Sequence, residues 1–563
     1  MPDAAKAAPT GAHAARETVK ETLISVIIAF VLAFVFRGFV VEAFVIPTGS
    51  MAPTLLGQHM RFQSEGSGQS WAVGPRDEGR AREPLALQGA PNRPPIAVRD
   101  PSSAEPLEER SVPIRAGDRI LVLKYLYLLR EPKRYDVVVF KYPGNPATNY
   151  IKRLIGLPGE QLALVDGDVF TRPLTPGEPE PIKDINLWER SDWRIARKPH
   201  DAARAVWQTV YDSSAAPSPK RSRSAAAPFT SPWSGANWSG LNGRTLTSPA
   251  GPSVLTWNNA APFDPRAPQP LARTWTVSDR YPYNEANRVT LPIFPVSDVR
   301  LRAGIALADT ATTIEALVEA RAHQFRALLE PAAGKALLQM RADAPADAPW
   351  QTLAQGAFAP FAAGRSVNVE FWHLDQSLCL FVGGRAVATG TYDWSPAQRI
   401  KFATGRTLAD VFGGSDSTAR SGTELADPGL YTPARLSWRF SGGPVTLHRV
   451  AVDRDLHYQP NARPGGAGYA TAPIETKTLG PDQFFVCGDN SPNSADARAW
   501  DATPNENNPR GFPDPWVSAT IDPTPGIVPR ELMLGKAFFV YFPALAGSSP
   551  IPVPDFGRLR FIR

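Results

Sequence analysis

The chain has 563 residues, 43% hydrophobic and 20% charged, which is enough for several domains and too apolar for a disordered protein. Its net charge of +6 is small and spread along the chain, so no nucleic-acid partner is implied, and 58 prolines predict few helices in a mainly β protein. Two cysteines, Cys379 and Cys487, form no metal-ligand spacing with the seven scattered histidines; they are expected as buried free thiols, with a disulfide as the alternative.

Residues 1–22 form a polar tail containing Lys6, Arg16 and Lys20. The apolar run "LISVIIAFVLAFVF", Leu23 to Phe36, is followed by Arg37 and a second run from Phe39 to Ile46. Together they predict a membrane anchor over 23–45, with Arg37 snorkelling to the interface. The basic residues ahead of it place the N-terminus in the cytoplasm and the body of the protein outside. The rival is a cleaved signal peptide, for which Val41 and Ala43 supply a V-x-A site. Then comes "VIPTGSMAPTLL", in which Ser50 lies in a turn fenced by Pro47 and Pro53.

Residues 58–110 read as an inserted loop or small module. Its Ser64 and Ser67 stand where a zinc ribbon would need thiols, and serines cannot hold the metal. Residues 111–171 alternate as an antiparallel sheet punctuated by Gly-Asp, Pro-Gly and Asp-Gly turns. Residues 172–253 are rich in Ser, Ala and Pro and predict a linker. From 254 to 460 strand patterns resume. Val367, Val369 and Phe371 share a face, as do Leu378, Leu380 and Val382, and Gly383-Gly384 supplies a hairpin turn. A helical stretch is expected near Thr313 to Leu329. The block resembles a concanavalin-like β-sandwich of the laminin-G sort. Residues 475–563 return to strands, with "FFVCGDNSPNSADARAW" and "GKAFFVYFP".

A serine hydroxyl needs a nearby base to become a nucleophile. Histidine is the usual one, but His13 precedes the apolar run, His59 lies in the 58–110 insertion and the other five fall in the middle region. A buried, neutral lysine can substitute. Lys141 and Lys152 both lie in apolar strands, and alternation puts Lys152 on a face with Tyr150 and Leu154, Arg153 on the other. Taken singly, a strand lysine is usually an edge charge and a serine between prolines a turn residue.

The order of motifs changes that balance. "PTGSMAPTL" after an apolar segment, then "GDRILVLK", "YDVVVFKYP", "YIKRLIGLPGE" and finally "GDNSPNSADAR" resembles bacterial type I signal peptidases, Ser/Lys endopeptidases of the secretory pathway. The resemblance implies an antiparallel β catalytic domain assembled from 46–57, 111–171 and 475–563, interrupted by the sandwich. It implies Ser50 as nucleophile, Lys152 as general base and Ser494 as the hydroxyl that holds the lysine amine. Thr48 and the Ser50 N–H match an oxyanion hole; Met51, Asp489, Asp496 and Arg498 match structural positions. No metal or cofactor is implied. The implied partners are secretory preproteins with small residues before the cut, at the outer face of the plasma membrane in contact with lipid. A glycan or a protein is the expected partner class of the sandwich. The block departs from the family pattern GDNRDNSxDSR: Ser491 and Pro492 replace an Arg-Asp pair, and Ala497 replaces a serine. These departures leave a rival reading, a weakened peptidase core displaying the sandwich. A self-cleaving regulator would need a DNA-binding helix pair in place of the apolar run.

Overall fold

The computed structural model describes residues 11–75, 95–110, 112–174, 184–217, 229–262, 274–286, 292–412, 423–460, 462–463, 466–500, 522, 524–544 and 554–563. Helix Gly11–Val35 leads through a short π-helical segment, Phe36–Val40, into strand Val41–Val45. The stretch Lys20–Val40 is long and apolar enough to cross a membrane, and Leu23, Phe30, Leu32 and Phe34 on it are exposed. The expected anchor is therefore shortened at its C-terminal end. Val41–Val45 pairs in register with Arg119–Leu123, because its alternating apolar residues find a β partner there, and the V-x-A segment lies inside that ladder.

The central sheet runs in the order Val41–Val45, Arg119–Leu123, Met533–Phe542, Val137–Tyr142, Asn145–Gly156, Gln483–Cys487 and Val528–Pro529. C-terminal strands thus sit between N-terminal ones, so neither end of the chain can complete the sheet alone. Val137 and Val139 face one apolar cluster with Ile46 and Met51, while Val138 and Phe140 face another with Leu154 and Phe485. Burial on both faces explains why the run "VVVF" is continuously apolar. Gly117 and Asp118 of "GDRIL" form the hub beneath the Ser50 turn. Asp118 accepts from the Leu56 and Ala544 N–H groups at 2.8 and 2.9 Å, and its own carbonyl receives the Ile46 N–H at 3.0 Å.

The described residues of 58–110 contain two hairpins, Met60–Gln63 with Ser70–Val73 and Ile96–Arg99 with Pro106–Glu109. Phe62, Trp71, Ile96 and Val98 make their core. Ser64 and Ser67 hydrogen-bond Glu105 and Asp100.

The middle of the chain is a sandwich of two seven-stranded antiparallel sheets around one apolar core. Two sequence expectations are corrected there. Residues 313–329 are strands, not helix: Thr313–Ala320 and His323–Glu330 form a hairpin whose two turn residues, Arg321 and Ala322, have φ of 52° and 54°. The segment is rich in helix formers, but Ile314, Ala316 and Val318, then Phe325, Ala327 and Leu329, are buried with period two, and packing overrides propensity. The expected linker is largely folded. Gln208–Asp212 and Thr245–Ser248 pair with Val445–Arg454, so the sandwich begins well before 254. Sparse composition misleads because a few large rings carry the packing: Trp188 and Trp193 are buried beside Phe170, and Trp233, Trp257 and Tyr211 pack edge to face. The Gly383-Gly384 turn has φ of 58° and 79°, as the hairpin requires. Cys379 and Cys487 are free and buried.

The insertion leaves and returns at neighbouring points, since the Tyr458 N–H donates to Gly167 O at 3.0 Å. A buried ion network fastens it there. Lys198 Nζ meets Asp375 and Asp455 at 2.5 and 2.8 Å, Arg321 meets Asp166 and Asp298 at 2.7 and 2.6 Å, and Arg399 meets Asp166, Asp168 and Asp298. Four of these carboxylates, Asp168, Asp298, Asp375 and Asp455, converge. Three cations already lie against them.

Candidate active site

Strand Asn145–Gly156 presents Lys152, and the turn after Val41–Val45 presents Ser50. Lys152 is cross-strand partner to Val138, which puts it on the same apolar face as Leu154 and Phe140. Its Nζ lies 2.6 Å from Ser50 Oγ and 5.4 Å from the centre of the Tyr150 ring. Ser50 is 8% exposed and Lys152 4%. Burial pushes the Lys152 amine down to about 8, with the Asp496 carboxylate pulling partly the other way. The reason the amine can lose its proton is that the nearby carboxylates have arginines of their own. Asp496 is held by Arg498 through two bonds of 2.8 Å, and Asp489 by Arg153 through two of 2.7 Å. Among the described residues Lys152 has no counter-ion of its own, so desolvation favours the neutral amine. Lys141, the other strand lysine, is exposed. His59 lies buried, but its Nδ1–H donates to Gly57 O at 2.8 Å and its Nε2 accepts from Arg61 Nε at 3.4 Å, so its ring nitrogens are engaged away from Ser50.

The turn is a short 3-10 segment, Gly49–Met51, preceded by extended Thr48. Met51 is fully buried among Ile46, Leu55, Val137 and Val139 and anchors the turn from below. Thr48 is exposed at the mouth of the site and its side chain makes no capping bond. The Gln483–Cys487 ladder ends at the Cys487–Arg153 pair, and the chain then crosses the turn as Gly488-Asp489-Asn490. The Asn490 N–H donates to Ser50 O and its side-chain amide to Gly49 O, both at 3.0 Å. The Gly488 N–H donates to Asp496 at 3.0 Å, and a Cβ on Gly488 would overlap Ser494 Oγ and come within 2.5 Å of Ser50 O.

Of the residues singled out in the sequence, Ser50 and Lys152 are brought together, and Met51, Asp489, Asp496 and Arg498 surround them. Ser494 is adjacent but does not hold the amine: among the described residues its buried hydroxyl has no hydrogen-bond partner. Bonding would require the hydroxyl to reorient. Gly49 is required by packing: a Cβ there would overlap the ring of Tyr283, contributed by the insertion. Sequence reasoning missed Arg153, Asn490, Tyr281, Tyr283 and Asn284. Asn490 stood inside a quoted motif; the tyrosines and Asn284 gave no local signal.

A serine hydroxyl in contact with a buried, deprotonatable lysine can make and break acyl bonds. That class of site agrees with the matched family: residues 19–105 and 103–173 match the model described as signal peptidase, peptidase S26. Among curated proteins the chain is similar to signal peptidase I of Pseudomonas aeruginosa, 35% identical over 95 residues, which are 14% of this chain and 34% of that protein. It is also similar to signal peptidase I of Buchnera aphidicola, 38% identical over 82 residues (12% and 26%), and of Rickettsia prowazekii, 28% over 156 residues (28% and 44%). The matched segments thus span less than half the length of these relatives. Among solved structures, a carbohydrate-binding module of Bacillus subtilis aligns at TM-score 0.22 and 7% identity, covering 40% of this chain and 96% of that one. A Caenorhabditis elegans galectin aligns at TM-score 0.18 and 14% identity, covering 29% and 89%. Likeness at these scores assigns no ligand to the sandwich.

Proposed function

We propose that the protein is a membrane-anchored signal peptidase that removes signal peptides from exported preproteins with a Ser/Lys dyad. The observation that carries this reading is the 2.6 Å approach of Lys152 Nζ to Ser50 Oγ in a buried setting that lowers the amine to about 8. Neutral Lys152 takes the Ser50 proton as Oγ attacks the scissile carbonyl, and the resulting ammonium protonates the leaving amine. Water, deprotonated by the same lysine, then hydrolyses the acyl-enzyme. The Ser50 N–H and the Thr48 hydroxyl stabilise the oxyanion, each worth about 10²–10³ in rate by comparison with other acyl-transfer enzymes. Lys6, Arg16 and Lys20 ahead of the apolar helix favour a cytoplasmic N-terminus and a catalytic domain on the outer face, where preprotein cleavage sites emerge.

The rival reading, a weakened core displaying the sandwich, drew its support from the altered block. Those changes are well accommodated. Ser491 Oγ accepts from Arg498 at 2.7 Å and from the Gln459 N–H at 2.8 Å, and Ala497 is fully buried in an apolar cluster. The test is cleavage of a preprotein with an Ala-x-Ala site by detergent-solubilised wild type, Ser50→Ala and Lys152→Ala. Cleavage at the signal-peptide junction by wild type alone is the expected result; equal rates in all three would reject the dyad.

A further inference from the structure

The insertion touches the Ser50 turn itself, through residues 281–284. Tyr283 is 3% exposed and spans the turn. Its ring lies where a Gly49 side chain would be and packs with Ala52, Leu56 and Ala544. Its hydroxyl donates to Gln58 O at 2.6 Å and its carbonyl receives the Gly74 N–H at 2.7 Å. One ring therefore fixes both ends of the segment 49–58.

Asn284 acts one step further back. Gly49 O can only accept, so Asn490 must turn its amide nitrogen toward it. The second N–H of that nitrogen donates to Asn284 Oδ1 at 2.8 Å, and Asn490 Oδ1 accepts from Asn284 Nδ2 at 2.8 Å. The reciprocal pair leaves the Asn490 amide one orientation. Tyr281, its ring stacked under the Arg454 guanidinium at 4.5 Å, donates to Asp489 O at 2.6 Å. The Gln459 N–H, on the segment that returns from the insertion, donates to Ser491 Oγ at 2.8 Å. The family departure at Ser491 thus falls where the insertion grips the block.

We infer that Tyr283 and Asn284 of the insertion are positioning residues for Ser50, so that the sandwich is a working part of the peptidase. This rests on the Ser/Lys reading above. Asn284 touches no reacting atom; it acts through Asn490 on the backbone of Gly49 and Ser50. Small displacements of a nucleophile are costly, about 10²-fold for 1 Å.

A double-mutant cycle in full-length, detergent-solubilised protein tests it, with preprotein cleavage as the readout and melting temperature as the folding control. Asn284→Ala is expected to lower kcat about 10-fold or more with KM changed less than about two-fold. In an Asn490→Ala background the same change should cost much less, because the route through the Asn490 amide is gone and a long 3.5 Å bond from Asn493 Nδ2 is left. Tyr283→Phe, which keeps the ring and loses the Gln58 bond, should lower kcat less than Asn284→Ala and leave melting close to wild type. Wild-type cleavage with an unaltered kcat in Asn284→Ala, or with additive losses in the double variant, overturns the positioning role alone. Absence of Ser50-dependent cleavage in wild type overturns the peptidase reading and this inference with it.

Discussion

Lys152 is a cation without an anion of its own, and two consequences follow at the scale of the residue. Catalysis needs the neutral amine, whose pKa burial lowers to about 8. The kcat/KM for preprotein cleavage should therefore rise with pH through about 8 and then level off; a rate independent of pH from 6 to 10 would exclude Lys152 as the base. The second consequence concerns stability. The unfolded chain keeps this proton up to the ordinary 10.5, whereas the folded chain releases it near 8. Between those values the unfolded state binds more protons, so wild-type stability climbs with pH, by up to about 3 kcal/mol across the window. Below 8 the folded protein buries a cation at its full cost. Lys152→Met should therefore melt above wild type at pH 7, with the advantage shrinking toward pH 10.5. A difference that stays constant across that range would show that packing, not charge, sets it.

At the scale of the element, the site is a crossing of a turn by a strand extension, and Gly488 is a point of close approach in it. A Cβ there would press on Ser494 Oγ and on the Ser50 carbonyl, which belongs to the bond holding the turn. Gly488→Ala should abolish cleavage and lower the melting temperature, checked by assay and thermal unfolding. A fully active, equally stable Gly488→Ala would mean the turn tolerates displacement. The same crossing explains what was legible beforehand. Ser50, Lys152 and the GDN block could be read because each sits in a short motif whose residues are neighbours in sequence. Met51 could be placed because it follows Ser50 inside the motif that carries the family resemblance. Arg153 was read only as pointing away from Lys152; its partner Asp489 is 336 residues distant. Tyr283 and Asn284 were invisible for the same reason, since a tyrosine in a Pro-rich stretch signals nothing until the insertion folds back. Strand alternation was read correctly at Leu378, Leu380 and Val382. It was missed at Ile314 to Leu329, where Ala, Leu, Glu and Arg imitate a helix.

At the scale of the whole molecule, two of the polar sets of contacts that join the sandwich to the sheets carrying Ser50 and Lys152 can be compared. One is the polar grip on the Ser50 turn, and the other is the ion network around Arg399. These are different in kind. The grip consists of neutral hydrogen bonds, individually worth about 1 kcal/mol. The network is buried charge, in which removing one partner leaves others uncompensated at a cost of about 3–5 kcal/mol. Arg399 is fully buried and meets Asp166 and Asp168 from the sheet next to the Lys152 strand and Asp298 from the sandwich. Because both regions lean on it, wild type should unfold in one cooperative transition despite its several sheets, and calorimetry reads this directly. Arg399→Leu should lower stability by about 3–5 kcal/mol and split the transition, with the sandwich core melting apart from the catalytic sheet. Preprotein cleavage should vanish with the lower of the two transitions if the insertion must be docked for Ser50 to work. Cleavage that persists until the catalytic sheet itself melts would mean the docked sandwich is dispensable to the site.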